Sequence, residues 1–482
     1  MRHLPQSFPY QSSNDLFSIS LNDIIVNQQK SEYRLVFKAS NAGPSGVERA
    51  QFNSLLFGCE LAHSYRIASD PHLARIKRDA GAEQQARHKY SKGTTMMKIN
   101  QVATLGVASA LGCILAATTV QAQVRISGST ATFALPKQGS QAAPAVDFAN
   151  AKPMALPVGR LPLPSQAKAI ANALDPLEVF GDSGGEEGSP GTGELHSVQL
   201  VAAQDVPEGA AVEPEEFGTS GHPFTTNEVN AWNDLTVNYY PYRAAGKLFF
   251  KIGNNSFLCS ASLIKPGIAV TAAHCVANYG QKQFYSDWTF VPAYNNGSAP
   301  YGSWTAASAT IKTAYYDGTD SCAQYGVICP DDVAVLTLNP QSGHYAGEYA
   351  GWFGYGWNGY SYNSSSQALI TQLGYPVALD GGLLMQRNDS QGFVSTSNSN
   401  NTIIGSLMTG GSSGGPWLVN FGVPPSLSGT SFGSYPNRNV VVGVTSWGYT
   451  DTTVKEQGAA PFTTNNIVSL VNTACSAVPG AC

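Results

Sequence analysis

The pattern of hydrophobic and polar positions changes sharply near residue 239. From there on, short apolar runs typical of β-strands, such as KLFFKI, GIAVTAA and VVVGVTSW, alternate with turns rich in Gly, Asn, Ser and Pro. Many short strands at close spacing are typical of an all-β sandwich or barrel. Between Thr463 and Ala474 the spacing is helical, because Ile467, Leu470 and Val471 recur on one face behind polar capping residues. The pattern therefore predicts an all-β domain that ends in a C-terminal helix.

Residues 123–225, which precede this domain, have a different composition. They are rich in Ala, Pro, Gly and Glu and carry no sustained helical or strand periodicity. We interpret them as a poorly structured propeptide or linker.

Further upstream, the stretch from Met96 to Ala122 has the pattern of a secretory signal peptide. One Lys is followed by an apolar run and then by small residues, which predicts cleavage after Ala122 and export from the cell. A transmembrane anchor and a lipoprotein signal ending at Cys113 are the alternatives. Because signal peptides stand at the start of a protein, we expect translation to begin at Met96 or Met97. Residues 1–95 would then be an upstream extension without function.

Charge gives little reason to expect a nucleic-acid or membrane partner. Charged residues make up 12% of the chain, against about 25% in typical soluble proteins, and the formal net charge is -5. The globular part contains no cluster of Lys and Arg that would grip phosphates or anionic lipid. We expect no nucleic-acid binding, and no stable membrane association after signal cleavage.

The cysteines that follow the signal peptide are even in number, as expected of an exported protein with disulfide bonds. Pairing of nearest neighbours closes small loops and gives Cys259 with Cys275, Cys322 with Cys329, and Cys475 with Cys482. Free thiols or a metal site are the alternatives, but no Cys-x-x-Cys or His pair at ligand spacing accompanies these residues. We therefore predict no metal and no cofactor.

Three separated motifs contain the residue types that nucleophilic catalysis by a serine requires. A Ser hydroxyl needs a base that takes its proton, an acid that orients the base, and donors for the developing oxyanion. His274 lies in TAAHC, Asp332 precedes the apolar strand VAVL, and Ser413 lies in GSSGGP. The backbone amides of Gly411 and Ser413 are the candidate oxyanion donors.

These motifs, followed by VTSWG and in this order, resemble those of the trypsin-like serine peptidases, and the resemblance covers residues 241–475. The glutamyl-endopeptidase-like bacterial branch is the most similar, on YPYRAAGKLFF, Gly374-Tyr375-Pro376 and Thr409-Gly410-Gly411. The resemblance implies two six-stranded antiparallel β-barrels, with His274 and Asp332 from the first, Ser413 from the second, and a cleft between them. The domain boundaries that follow are 226–482 for the peptidase domain, about 240–345 for barrel 1 and about 346–482 for barrel 2.

The same resemblance assigns the substrate-binding residues. Ser446, Trp447 and Gly448 match the strand that binds the substrate backbone by β-augmentation. Leu407 falls at the base of the primary specificity pocket, next to Met408. An Asp at the position of Leu407 would select Arg or Lys, so its replacement by Leu favours cleavage after an apolar or small residue.

Two competitors for the catalytic roles are rejected. The sequence GDSGG at residues 181–185 would make Ser183 the nucleophile, but it lies in the Pro-, Gly- and Glu-rich stretch before the His motif, and we interpret it as a chance match. Asp331 adjoins Asp332, and we interpret it as a solvated turn residue.

Ser412 departs from the trypsin-like pattern, in which an Asp before the nucleophile pairs with a newly cut N-terminus on activation. That charge-paired switch cannot operate with Ser412. We hypothesise instead that the segment from Gln123 to about His222 masks the cleft or assists folding, and is then removed.

The sequence thus predicts a secreted, monomeric serine endopeptidase that hydrolyses proteins or peptides through an acyl-enzyme intermediate. A catalytically inactive trypsin-like binding protein is the alternative, although such proteins usually lose a triad residue. A serine hydrolase of the α/β type requires Ser before Asp before His, and the order here is reversed.

Overall fold

The computed structural model of the chain describes twelve parts of it, and the account below is confined to them: residues 24–29, 32–37, 123–135, 146–158, 182–206, 222–230, 235–320, 330–395, 401–422, 437–449, 451 and 453–482. The sequence predictions for the signal peptide, Cys322 and Cys329 lie outside these residues. Within them, no helix is both long and apolar enough to cross a membrane.

The chain divides into two units, Met1–Ile99 and Asn100–Cys482. In the first unit β1 (Ile24–Gln29) pairs with β2 (Glu32–Phe37) in an antiparallel hairpin. The second unit opens with a leader, defined here as residues 123–222. The leader strands are β3 (Gln123–Ser127), β4 (Thr130–Ala134), β5 (Lys152–Pro153), β6 (Gly184–Glu186) and β7 (Val198–Gln199).

Barrel 1 follows and is closed by six antiparallel strands. The strands in this part of the chain are β8 (Phe224–Glu228), β9 (Ala245–Ile252), β10 (Asn255–Lys265), β11 (Ile268–Thr271), β12 (Ala277–Asn278), β13 (Gln283–Phe284), β14 (Ser286–Pro292), β15 (Ser298–Ala299), β16 (Trp304–Lys312) and β17 (Ala334–Leu338). The barrel order is β14-β9-β10-β11-β17-β16, and pairing of β14 with β16 completes the circle. Its interior is filled by large side chains shielded fully from water, among them Phe249, Trp288 and Phe290.

Barrel 2 is built in the same way. Its part of the chain contains β18 (Gly354–Trp357), β19 (Gln367–Gly374), β20 (Gln386–Ser395), β21 (Asn401–Gly405), β22 (Pro416–Val419), β23 (Val440–Gly448) and β24 (Glu456–Pro461). The order β22-β19-β20-β21-β24-β23 closes through β22 and β23, and all six pairings are antiparallel. β8 extends this sheet beside β20. The predicted fold of two six-stranded antiparallel barrels is confirmed.

Three short α-helices accompany the barrels: α1 (Thr313–Asp317), α2 (Ala346–Ala350) and α3 (Ser469–Ala477). The predicted C-terminal helix is present and begins with a π-helical turn, Thr464–Val468. Thr463 caps this turn by accepting a hydrogen bond from the amide of Asn466. Ile467, Leu470 and Val471 are buried, as their spacing predicts.

The leader strands are short, but each pairs with another element. β4 extends barrel 1 beside β16 and carries β3 on its outer edge. β5 pairs with β10, β6 with β18, and β7 with β15. The leader therefore contacts both barrels through backbone hydrogen bonds, which need no sustained apolar pattern in its own sequence.

Candidate active site

His274 is fixed by the element that follows β11. Buried Ala272 leads from β11 into a 3-10 turn, Ala273–Cys275, that carries the imidazole. Cys275 forms a disulfide bond with Cys259 in the adjacent β10. Burial of this turn and the disulfide bond leave it little freedom.

Asp332 holds His274 through two hydrogen bonds. His274 Nδ1 lies 2.9 Å from Asp332 Oδ2, and the His274 backbone amide donates to Oδ1 over 2.9 Å. The Ser446 hydroxyl donates to Oδ2 over 2.5 Å. His274 is 4% exposed and Asp332 is fully buried. Three donors therefore satisfy the Asp332 carboxylate, which would be costly to bury alone. Its neighbour Asp331 lies in the preceding turn and is partly exposed.

Ser413 lies in a tight loop, Gly411–Gly415, that leads into β22. Gly411 and Gly414 have left-handed backbone angles, with φ of 96° and 76°. A Cβ atom on Gly411 would lie 2.5 Å from the Tyr375 carbonyl oxygen, and one on Gly414 would lie 2.0 Å from the Thr271 hydroxyl. Only glycine fits both positions, which explains the small residues in this motif.

Ser260 on β10 holds this loop and was not identified from the sequence. Its hydroxyl donates to the Gly411 carbonyl over 2.9 Å and accepts from the Tyr375 amide over 3.0 Å. Its own amide donates to the Ser413 carbonyl over 2.7 Å. The Gly410 carbonyl accepts a hydrogen bond from the Val377 amide over 2.9 Å, so the Gly411 amide of the same peptide unit points the opposite way.

Ser412 supports the same loop without any charge. Its hydroxyl donates to the Thr409 carbonyl over 2.7 Å, and its amide donates to the same oxygen over 3.1 Å. Local hydrogen bonds thus fix the residue before Ser413, where trypsin-like enzymes use an Asp.

Two polar atoms in the cleft are buried without a hydrogen-bond partner in the described part of the chain: His274 Nε2 and Ser413 Oγ. A buried unsatisfied polar atom is costly and calls for an explanation. An imidazole nitrogen and a serine hydroxyl are the groups that a proton transfer requires, and catalytic hydrogen bonds often tighten only when substrate is bound.

A pocket of about 420 Å³ opens beside these residues. Of the residues that the resemblance assigns to substrate binding, Leu407, Met408 and Gly448 line it, together with Gly410 and Val454. Ser446 and Trp447 are buried in β23 and are not among the lining residues. Leu407 is half-buried and Met408 is 4% exposed.

A polar network that the sequence did not reveal supports the pocket wall. The amide of Gln457 donates to the Met408 carbonyl over 2.6 Å, and its oxygen accepts from Gln372 over 2.6 Å. Ser406 donates to the Gln372 oxygen over 2.9 Å, and Gln372 donates to Thr445 over 2.9 Å. These side chains are buried, so the network fixes the backbone at Met408.

The charged residue at the pocket with the clearest perturbation is Glu456. It is 7% exposed, and burial raises the pKa of its carboxyl to about 7. His222 Nδ1 lies 3.5 Å from Glu456 Oε1, and burial lowers the pKa of that imidazole. Burial therefore favours the neutral form of both side chains.

The ligand atoms of Cys259, His274 and Cys275 lie within 4.8 Å of one another, a grouping that resembles a metal site. Both sulfur atoms belong to one disulfide bond, so neither can supply the thiolate that a metal ligand requires. The structure also forms the predicted Cys475–Cys482 disulfide bond.

The rival motif at residues 181–185 occupies a different setting. Gly184–Glu186 pairs antiparallel with Tyr355–Trp357 of β18, and a Cβ atom on Gly184 would clash with the Trp357 ring. Gly184 and Gly185 of this motif therefore have a packing role beside barrel 2. That this motif resembles a catalytic one only by chance remains a prediction.

Part of the chain is similar to known proteins. Residues 237–468 match the family model described as Trypsin. An extracellular metalloprotease of Bacillus subtilis (strain 168) is 32% identical over 119 residues, which are 24% of this chain and 34% of that protein. The chain thus matches about a third of the length of that curated relative.

Solved structures of proteases also align with this chain. The protease Anisep from Arthrobacter nicotinovorans is 27% identical over 48% of this chain and 96% of its own, with a TM-score of 0.38. A Glu endopeptidase in complex with MPD is 20% identical over 52% of this chain and 96% of its own, with a TM-score of 0.37.

Proposed function

Since residues 237–468 belong to the trypsin family of serine endopeptidases, we propose that this chain is a secreted enzyme that hydrolyses peptide bonds with His274, Asp332 and Ser413. Proteins or peptides are its substrates. Its leader is removed before it acts.

One observation carries the assignment of the three residues. His274 Nδ1 bonds the buried Asp332 carboxylate, while His274 Nε2 and Ser413 Oγ are buried polar atoms without a partner among the described residues. The carboxylate keeps the proton on Nδ1, so Nε2 retains the lone pair that a general base needs.

In the first half of the reaction, Nε2 of His274 takes the hydroxyl proton of Ser413 as Oγ attacks the substrate carbonyl carbon. The amides of Gly411 and Ser413 donate hydrogen bonds to the oxyanion that forms. His274 then gives its proton to the departing nitrogen. The C–N bond breaks, and an acyl ester remains on Ser413.

In the second half, a water molecule gives a proton to His274 and attacks the ester. Collapse of this second oxyanion breaks the bond to Ser413 Oγ, which takes back the proton from His274. The products are a carboxylic acid and the restored hydroxyl, so the chain's own residues account for every proton transfer.

The pocket beside Ser413 favours an apolar or small side chain at the residue before the cut. Leu407 and Val454 present hydrocarbon to it, and Gly410 and Gly448 leave room, while the charged residues Asp451, Lys455 and Glu456 line other parts of it. By the resemblance, enzymes that cleave after Arg or Lys carry an Asp at the position of Leu407.

A panel of peptides that differ only at the residue before the cut tests the proposal. Exported protein without its leader is expected to cleave fastest after apolar or small residues, and Ser413→Ala to abolish cleavage. Ser183→Ala is the matched control and keeps full activity. Cleavage that persists in Ser413→Ala contradicts the assignment of the nucleophile, and fastest cleavage after Arg, Lys or Glu contradicts the preference. N-terminal sequencing of the exported protein tests cleavage after Ala122.

A further inference from the structure

The leader segment Lys152–Val158 lies across the proposed active site. At its start, Lys152 and Pro153 pair parallel with Phe257 and Leu258 of β10. The Met154 amide donates to the Leu258 carbonyl over 2.9 Å. This end of the segment is therefore held by barrel 1.

The middle of the segment reaches the loop that carries the nucleophile. The Gly411 amide, a candidate oxyanion donor, donates to the Met154 carbonyl over 3.3 Å. A Cβ atom on Gly410 would lie 3.1 Å from the same oxygen. The Met154 carbonyl thus occupies a hydrogen bond that the substrate oxyanion would need.

The far end of the segment lies on barrel 2. The Gly448 amide donates to the Pro157 carbonyl over 3.1 Å, and Val158 forms a parallel bridge with Gly448. Leu156 packs against Gly448, where a Cβ atom would lie 3.1 Å from Leu156 Cδ1. Ala155, Leu156 and Val158 line the specificity pocket.

The direction of the segment is opposite to that of a substrate. The residue before the cut places its side chain in the pocket, so the substrate residues that precede the cut lie on the Gly448 side. Those that follow the cut lie on the far side of Ser413, toward β10. Lys152–Val158 instead runs from β10, past Gly411, to Gly448.

Resting on the proposed function, we propose that Lys152–Val158 is an inhibitor of this active site that binds with reversed chain polarity and is not cut where it lies. His274 adjoins Cys275, which is bonded to Cys259 beside Leu258, so the proton donor lies on the β10 side. The Ala155 nitrogen, which cleavage after Met154 would release, lies on the pocket side. His274 therefore cannot protonate that nitrogen, and the acyl transfer is not completed.

Other contacts hold the segment without using the pocket. The Asp147 amide donates to the Ser256 hydroxyl over 3.0 Å, and the rings of Phe148 and Phe249 meet at 4.9 Å between centroids. Pro153 and Pro157 restrict the backbone to extended forms, which lowers the entropy lost on binding. The anchor and the prolines thus strengthen the binding of the segment beyond what its contacts at the pocket provide.

The rate of fluorophosphonate labelling tests this proposal. We compare the intact chain beginning at Gln123 with processed protein, which is the exported protein without its leader, and monitor both by mass spectrometry. The processed protein labels, the intact chain labels at least about tenfold more slowly, and Leu156→Asp in the intact chain restores labelling about tenfold. Leu195→Asp is the matched control, because Leu195 is a leader residue that is 55% exposed, and it leaves labelling slow.

A synthetic peptide of residues 146–158, added to processed protein, provides a test that does not depend on folding of a variant. It slows labelling, its Leu156→Asp version does so about tenfold less well, and mass spectrometry finds it uncut. Cleavage between residues 152 and 158 overturns the reversed polarity. Equal labelling of intact and processed protein overturns the inhibitor alone, whereas no labelling of processed protein overturns the proposed function and this inference with it.

Discussion

The two barrels contribute to the proposed active site in different ways. Barrel 1 provides a base that is already locked, because three hydrogen bonds satisfy Asp332 and two of them come from His274. Barrel 2 provides Ser413, whose loop is held by Ser260 but whose hydroxyl has no partner among the described residues. The orientation of the base is therefore built into the fold, whereas the bond between nucleophile and base is completed in the cleft.

The largest expected effects separate the two halves. Ser413→Ala removes the nucleophile and is expected to lower kcat by about 10⁶-fold. Asp332→Asn keeps the shape but loses the orientation of His274, and is expected to lower kcat by about 10⁴-fold. Steady-state kinetics on processed protein measures both effects, with Asp331→Asn as the matched control. If Asp331→Asn were as impaired as Asp332→Asn, the assignment of Asp332 as the residue that orients His274 would be wrong.

A smaller effect is expected from the disulfide bond that ties the base to β10. Replacing Cys259 and Cys275 by Ser opens a loop of 16 residues and is expected to lower the free energy of unfolding by about 3 kcal/mol. Replacing Cys475 and Cys482, which close a loop of 7 residues, is expected to cost less and to leave kcat unchanged. Urea unfolding of the two double variants measures the difference. The reverse order would show that loop closure is not what stabilises the turn at His274.

On the side of the nucleophile, the residue to change is Ser260. Ser260→Ala leaves the Gly411 carbonyl and the Tyr375 amide without a partner, which is expected to cost about 1–3 kcal/mol of stability. Because the Gly411 carbonyl loses this anchor and the loop that carries Gly411 and Ser413 can shift, kcat is expected to fall by about tenfold or more while KM changes little. Ser256→Ala, on the same strand, contacts the leader and is the control in processed protein. Unchanged kcat in Ser260→Ala would refute its positioning role.

The sequence predicted the parts of this site that follow short motifs. His274, Asp332 and Ser413 each stand next to small or apolar residues whose local role is recognisable, and the structure brings His274 and Asp332 into contact. Neighbouring cysteines pair because short loops favour closure, as Cys259–Cys275 and Cys475–Cys482 do.

The contributions that sequence analysis missed come from long-range contacts. Ser260 is one polar residue in an apolar strand, and its partner Gly411 lies 151 positions away. Gln372 and Gln457 are 85 positions apart and meet only when barrel 2 closes. Lys152–Val158 contains two prolines and no strand periodicity, and pairs through the backbone on strands that other residues have already built. None of these pairings leaves a local pattern in the sequence.

The smallest expected effect concerns pH at the edge of the pocket. The pKa of Glu456 is about 7 in the folded protein, above its ordinary value of 4.5. The folded state thus binds the proton more tightly, so this contribution to stability is present below pH 4.5 and is lost as the pH rises through about 7. The free energy of unfolding is expected to fall less between pH 5 and pH 8 in Glu456→Gln than in wild type. His222 has the opposite sense, because its lowered pKa makes stability fall at acid pH. An equal loss of stability in Glu456→Gln and in wild type would contradict a raised pKa for the Glu456 carboxyl in the folded protein.

The site of covalent labelling identifies the nucleophile directly. A fluorophosphonate reacts with a serine that a base and an oxyanion site activate. We expect processed wild-type protein to carry one adduct, located by mass spectrometry on Ser413. Labelling persists in Ser183→Ala and disappears in Ser413→Ala. An adduct on Ser183, or no adduct on processed wild-type protein, would contradict the assignment of Ser413 as the nucleophile.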